Sequence, residues 1–233
     1  MNFNIKDMKK NFLKYRKIIW VSIFAIAMAY LESSIVVYLR RLYGIVDYTM
    51  GPPPFDPVLA PIEVGREFAT MIMLIAVGWA VGKSTQDRIG YAFLIFGLWD
   101  IFYYFWLWVF IRWPKSLVET DILFLIPLPW WGPVIAPMLI ALLMVIGGIL
   151  AVRCEDEGRI IVFSRLDWIC SISGIVLLLY SFMRDAVKAL PADVEEISQL
   201  RPTPFNWGIY IIGYILLSYG ILHVILDARS KET

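Results

Sequence analysis

Residues 18–38 read IIWVSIFAIAMAYLESSIVVY, a largely apolar run in which Glu32 is the only charged residue. A helix rises about 1.5 Å per residue, so this run matches the roughly 30 Å hydrocarbon core of a bilayer. Six basic residues precede it, and Ala27-Met28-Ala29 resembles a signal-peptide cleavage site. Because the apolar run continues beyond that motif, it predicts a retained transmembrane helix.

The whole chain has the composition of a membrane protein. Of its 233 residues, 60% are hydrophobic, 15% aromatic and only 18% charged, with a mean hydropathy of +0.70. These values lie outside the usual range of soluble domains. We predict an all-α polytopic transmembrane bundle with about six spans, at residues 18–39, 62–81, 89–111, 134–152, 168–183 and 207–226. The spans form one membrane domain, residues 18–227, between a basic segment, 1–17, and a tail, 228–233.

Two connecting segments are rich in proline, which interrupts helices. The first, from Tyr43 to Pro61, contains the sequence GPPP and is predicted to be an extended loop. The second, residues 113–138, is apolar but holds five prolines around Trp130 and Trp131. Backbone without helical hydrogen bonds is tolerated at membrane depth only where protein buries it. We therefore expect a re-entrant or interfacial segment before the fourth span.

The distribution of basic residues predicts the orientation. The basic segment, the 82–88 turn, the 153–166 loop and the tail fall on one side and hold 13 of the 21 Lys and Arg residues. The positive-inside rule then places both termini in the cytoplasm, in a multi-pass protein of the plasma (cytoplasmic) membrane. The net charge of +1 gives no reason to expect nucleic acid. The expected partners are membrane lipids and either a second copy of the chain or a membrane complex.

Ionisable residues inside the spans are the main candidates for function, because each costs about 2.5–3.5 kcal/mol at membrane depth. Glu32 and Glu67 lie at similar depth in the outer part of the first two spans, and Asp100 lies near the middle of the third. We therefore predict a polar pocket in the outer half of these three spans. Its candidate residues are Glu32, Glu63, Arg66, Glu67, Asp100, Tyr103 and Tyr104.

A purely structural interpretation remains open for the same residues. Arg66 can neutralise Glu67 or Glu32 in a buried ion pair, and a tyrosine or tryptophan can satisfy Asp100. Glu63 can also lie at headgroup depth, where its charge costs little. The Pro/Trp segment supplies candidates for a lid over the pocket: Asp121, Trp130 and Trp131.

Metal and cofactor chemistry is not expected. Carboxylates suit hard cations, but the Glu-x-x-His pairs of di-iron bundles are absent and the chain has a single histidine, His223. The sequence also lacks the motifs of nucleophile elbows, zinc proteases and phosphate-binding loops. No metal, cofactor or catalytic residue is therefore assigned, and whether the protein is an enzyme stays open.

Two stretches carry a family resemblance: WDIFYY at 99–104 and DILFLIPLPWWGPVIAP at 121–137. They resemble a family of uncharacterised bacterial polytopic membrane proteins. The resemblance covers under a fifth of the chain and implies a shared helical membrane fold, with no activity attached.

Three classes of function fit these observations. The first is a small transporter or permeation protein for a cation or small solute, with the acids as its binding groups. The second is an intramembrane enzyme or binding protein for a lipid, quinone or isoprenoid, whose tail would lie along the aromatic run of the third span. The third is a non-catalytic subunit or assembly factor of a membrane complex, in which the polar residues pair with partner helices.

Overall fold

The computed structural model describes residues 5–44, 56–192, 196–197, 200 and 202–230. Six helices in this part of the chain are long and apolar enough to cross a membrane, which confirms the predicted all-α polytopic bundle. The chain is an integral membrane protein. The helices are α1 (Ile5–Leu42), α2 (Leu59–Val81), α3 (Thr85–Ile111), α4 (Ile135–Asp156), α5 (Arg165–Ala189) and α6 (Trp207–Leu226). Residues 45–55 of the predicted extended loop and 231–233 of the predicted tail lie outside the described residues.

Polar side chains cap the starts of four helices; at α6, the Asn206 side chain accepts a hydrogen bond from the backbone N–H of Ile209. The Asp56 carboxylate accepts hydrogen bonds from the backbone N–H groups of residues 58 and 59 at the start of α2. Ser84 accepts from the N–H of Asp87 at the start of α3, and Ser164 and Asp167 form a reciprocal capping box at the start of α5. Such caps satisfy backbone donors that have no partner within the helix.

The central helix of one half of the bundle is α3, which packs against α1, α2 and α4. The other half is the pair α5 and α6, and α4 joins the halves by contacting both α3 and α6. Small residues allow the closest approach of α3 and α4. A Cβ atom added to Gly90 would lie 3.1 Å from the carbonyl oxygen of Gly148, so both backbones pass within contact distance there.

The Pro/Trp segment forms a β-hairpin, which the sequence did not predict. Strand β1 (Thr120–Phe124) pairs antiparallel with β2 (Trp130–Pro133), with an irregularity between Ile122 and Phe124. The apolar tip, residues 125–129, contains both Pro127 and Pro129, outside the paired register where their missing N–H groups are not needed. We call this the hairpin end of the bundle.

At the opposite end, polar contacts join the first turn of α3 to α4 and to the segment that follows α4. Gln86 donates to the backbone oxygens of Ala151 and Arg159 and accepts from the N–H of Ile161. Strands β3 (Arg159–Ile160) and β4 (Arg229–Ser230) pair beside it. We call this the Gln86 end.

Candidate ligand cavity

A cavity of about 470 Å³ lies between α1, α2, α3 and the hairpin. Its volume is within the usual range of small-molecule sites. All seven residues predicted for the polar pocket line it, so the structure brings them together: Glu32, Glu63, Arg66, Glu67, Asp100, Tyr103 and Tyr104. Of the three lid candidates, Trp131 lines the cavity, whereas Asp121 and Trp130 hold the hairpin in place around it.

Arg66 lies between two acids on one side of the cavity. Its Nη2 atom is 2.8 Å from Glu63 Oε2, one helical turn away on α2, and its Nη1 atom pairs with Glu32 Oε1 on α1. The second oxygen of Glu32 accepts a hydrogen bond from Thr70 Oγ1 at 3.2 Å. The sequence left open whether Arg66 pairs with Glu32 or with Glu67, and in the structure it pairs with Glu32. Glu63, for which headgroup depth was the alternative, is also an ion-pair partner.

Glu67 has a different role from its neighbours on α2. The side chain is buried, and its Oε2 atom accepts a hydrogen bond from the backbone N–H of Leu125 at 2.9 Å, in the tip of the hairpin. Within the described ranges no Lys, Arg or His lies within 4 Å of its carboxylate. Glu67 therefore fixes the hairpin to α2, and no described cation pairs with its carboxyl group.

Asp100 lines the cavity from α3 and is the least satisfied of the acids. Its Oδ2 atom is enclosed and has no hydrogen-bond partner in the part of the chain that the structure describes. Neither Tyr103 nor Tyr104, the two phenols that could satisfy it, donates to this oxygen. The Tyr104 hydroxyl donates to Asp121 instead, at 3.3 Å. Asp100 Oδ2 therefore lines the cavity without a described hydrogen-bond donor.

Asp121 anchors strand β1 to two helices. Besides the bond from Tyr104, it accepts a hydrogen bond from Arg40 Nη2 of α1 at 3.1 Å. Burial raises the pKa of Asp121, and the positive charge of Arg40 opposes that rise. Asp121 therefore positions the roof of the cavity, which is formed by residues 122–129 of the hairpin.

Strand β2 is fixed to α5 on the other side of the hairpin. The Trp130 ring stacks on Phe182 with 5.9 Å between ring centres and an interplanar angle of 6°. Trp131 packs against Ala186 and Ile197. The hairpin is therefore attached to α1, α2, α3 and α5, and its tip covers the cavity.

Comparisons of the chain with protein-family models, with curated proteins and with solved structures gave no match.

The charges around the cavity are unbalanced. The described lining contains five acids, Glu32, Asp56, Glu63, Glu67 and Asp100, and two arginines, Arg40 and Arg66. Both arginines already pair with carboxylates, Arg40 with Asp121 and Arg66 with Glu32 and Glu63. The acids therefore outnumber the positive charges available to them.

The described acids of the cavity are spread apart rather than clustered. Nowhere among residues 5–44, 56–192, 196–197, 200 and 202–230 do three His, Cys, Asp or Glu side chains group closely enough to hold a metal ion. The chain's one histidine, His223, lies at the Gln86 end, where its Nδ1 atom is 2.8 Å from Asp167 Oδ1.

Sequence reasoning missed three contributors to the cavity. Arg40 lies one residue beyond the first predicted span, and Thr70 is an ordinary polar residue in an apolar helix. Residue 125 contributes its backbone N–H, which no side-chain pattern can reveal. Arg40 and its partner Asp121 are 81 residues apart, so local spacing carries no information about that pair.

Proposed function

We propose that the protein is a small carrier or permeation protein that binds a cation or small cationic solute in this cavity. One observation carries the proposal: Glu67 and Asp100 both line the cavity, and neither pairs with a described cation. The cavity's arginines are engaged with other acids.

The electrostatics of a membrane site support this proposal. A carboxylate away from water must gain a proton, a cation or several hydrogen-bond donors, because its unpaired charge is costly there. Glu67 has one backbone donor and Asp100 has no described donor. A cationic ligand would provide the charge that the protein itself does not supply.

The hairpin is the part of the site suited to control access. On the α2 side, the Leu125 N–H to Glu67 bond fixes its tip over the cavity. A ligand that draws the Glu67 carboxylate toward itself competes directly with that bond. Binding and movement of the roof would then be coupled, as a carrier requires.

Flux through the purified protein tests this function. Proteoliposomes with an inside-negative membrane potential would be assayed for uptake of radiolabelled methylammonium, guanidinium and sodium. We expect at least one cation to enter faster than into protein-free liposomes, and Asp100→Asn and Glu67→Gln each to lower that rate about tenfold or more, since each removes a charge worth at least 1.4 kcal/mol in binding.

The matched control is Glu157→Gln, which removes an acid at the Gln86 end whose side chain is 53% exposed. Its uptake rate should equal that of the unaltered protein. Uptake no faster than in empty liposomes for every cation tested, including ammonium ions that carry a longer apolar chain, or equal rates for all three variants, would overturn the proposal.

A second candidate is a binding protein or intramembrane enzyme for a lipid, quinone or isoprenoid. It is favoured by the apolar roof, residues 122–129, in which every side chain is hydrophobic. Native mass spectrometry distinguishes the two. A neutral lipid retained at one copy per chain, and lost on replacement of roof residues but not of Asp100, would favour this alternative.

A further inference from the structure

The cavity combines two surfaces of opposite character, which together restrict the ligand. One surface is the acidic group formed by Glu67 and Asp100, described above. The other is the roof over residues 122–129, together with apolar side chains of α1 such as Val36 and Leu39. A ligand that fills the cavity meets both surfaces at once.

A bare or hydrated metal ion fits this cavity poorly. Calcium takes six to eight oxygen ligands, and magnesium requires near-octahedral oxygen coordination. In the described chain no three acids are grouped for such coordination, and the roof offers hydrocarbon rather than oxygen. Most of the cavity wall would gain nothing from a metal ion.

Aromatic rings make the polar end of the cavity suitable for an organic cation. Trp99, Tyr103 and Tyr104 line it next to Asp100, and the Trp99 and Tyr103 rings lie 6.3 Å apart. Ammonium groups are attracted to aromatic faces as well as to carboxylates, by about 0.5–2 kcal/mol per ring. Rings and a carboxylate at one end of the cavity thus give an ammonium group two kinds of favourable contact.

We propose that the ligand is a lipophilic organic ammonium ion, with its nitrogen paired to Asp100 and its apolar body under the hairpin. This inference rests on the proposed function, because it names the class of cation that the carrier would accept. Burial of an apolar body of several methylene groups contributes about 0.8 kcal/mol for each. The roof then explains selectivity for such a cation over a small one.

Binding to the purified full-length protein in detergent, measured by calorimetry, tests the two halves of the proposal separately. The probes are phenylbutylammonium, the neutral phenylbutanol of similar shape, and methylammonium, which has the charge without the body. We expect phenylbutylammonium to bind at least about tenfold more tightly than either of the others.

Variants assign the charge preference to one residue. Asp100→Asn should reduce the preference for phenylbutylammonium over phenylbutanol to about twofold or less, and Asp100→Glu, which keeps the charge, should retain most of it. Glu157→Gln should bind as the unaltered protein does, and titration of protein-free micelles measures the partition of each probe into detergent, which is subtracted. Unchanged elution in size-exclusion chromatography shows that each variant is folded. If Asp100→Asn does not fold, the preference for phenylbutylammonium over phenylbutanol is judged from Asp100→Glu.

The outcomes separate this inference from the function on which it rests. If methylammonium binds as tightly as phenylbutylammonium, the inference fails and a cation carrier remains. If phenylbutanol binds equally well, or Asp100→Asn keeps the charge preference, the ammonium site at Asp100 is ruled out. If no probe binds and no cation is taken up by proteoliposomes, the carrier function fails as well.

Discussion

Arg66 compensates the negative charge of two acids that line the cavity, Glu32 of α1 and Glu63 of α2. Its guanidinium pairs with Glu32, which is only 6% exposed, and with the more accessible Glu63. Loss of one partner from a buried ion pair leaves the other as an uncompensated charge, at a cost of about 3–5 kcal/mol. Replacement of both partners by apolar residues of similar size avoids that cost.

We therefore expect Arg66→Met to lower the midpoint of thermal denaturation in detergent strongly. Glu32→Met together with Arg66→Met should recover most of the loss, because Glu63, the acid that then stays unpaired, is the more accessible of the two. A double-mutant cycle over the four proteins gives the coupling between the two residues, expected at about 3 kcal/mol. If the two single effects simply add, the ion pair does not stabilise the fold in the way proposed.

The hairpin depends on a glycine where β2 meets α5. A Cβ atom added to Gly132 would lie 2.8 Å from Phe182 Cε1 and 3.3 Å from Phe205 Cε2. The Phe182 ring is 3% exposed and stacked on Trp130, so it has no free space into which to move. Even one added methyl group must push the hairpin away from α5.

We predict that Gly132→Ala destabilises the protein by about 1–3 kcal/mol, the usual cost of overpacking. The matched control is Gly65→Ala in α2, where an added Cβ meets no described atom within 4 Å. That change should stabilise the protein by about 0.5–1 kcal/mol, since alanine is the better helix former. Thermal denaturation of the two variants should shift in opposite directions, and a shift of the same sign would contradict this view of the hairpin.

The helices could be predicted and the hairpin could not, for a physical reason. A transmembrane helix satisfies its backbone hydrogen bonds within a single apolar run, so residues 18–38 already contain enough information to define it. Strands β1 and β2 have five and four residues, lack regular polar alternation and are held by Asp121, Trp130 and Glu67 through distant partners. Such contacts become visible only when the chain is folded.

The composition of the cavity was predictable in part at the scale of the whole molecule. Membrane depth placed Glu32, Glu67 and Asp100 near one another, because charges in adjacent helices at similar depth can meet. Depth does not specify pairing, which depends on how each helix is rotated about its axis. Only the structure shows that Arg66 pairs with Glu32 rather than with Glu67. It also shows that Asp100 Oδ2 has no described hydrogen-bond partner.

The orientation of the molecule is a prediction that sided chemical labelling can test. Both native cysteines, Cys154 and Cys170, are buried, so the unaltered protein is an unreactive control. Val118 at the hairpin end and Val162 at the Gln86 end are 66% and 61% exposed, and each lies in a connector outside the helices. Val118→Cys and Val162→Cys thus report on opposite faces of the membrane.

In intact cells, a membrane-impermeant maleimide should label the protein with Val118→Cys, and Val162→Cys should react only after the membrane is permeabilised. This follows from the excess of basic residues on the side of the Gln86 end, which favours the cytoplasm. The reverse pattern would place the cavity on the cytoplasmic side. A carrier could still operate there, but it would meet its cation from inside the cell, and the potential would oppose rather than assist release of that cation outward.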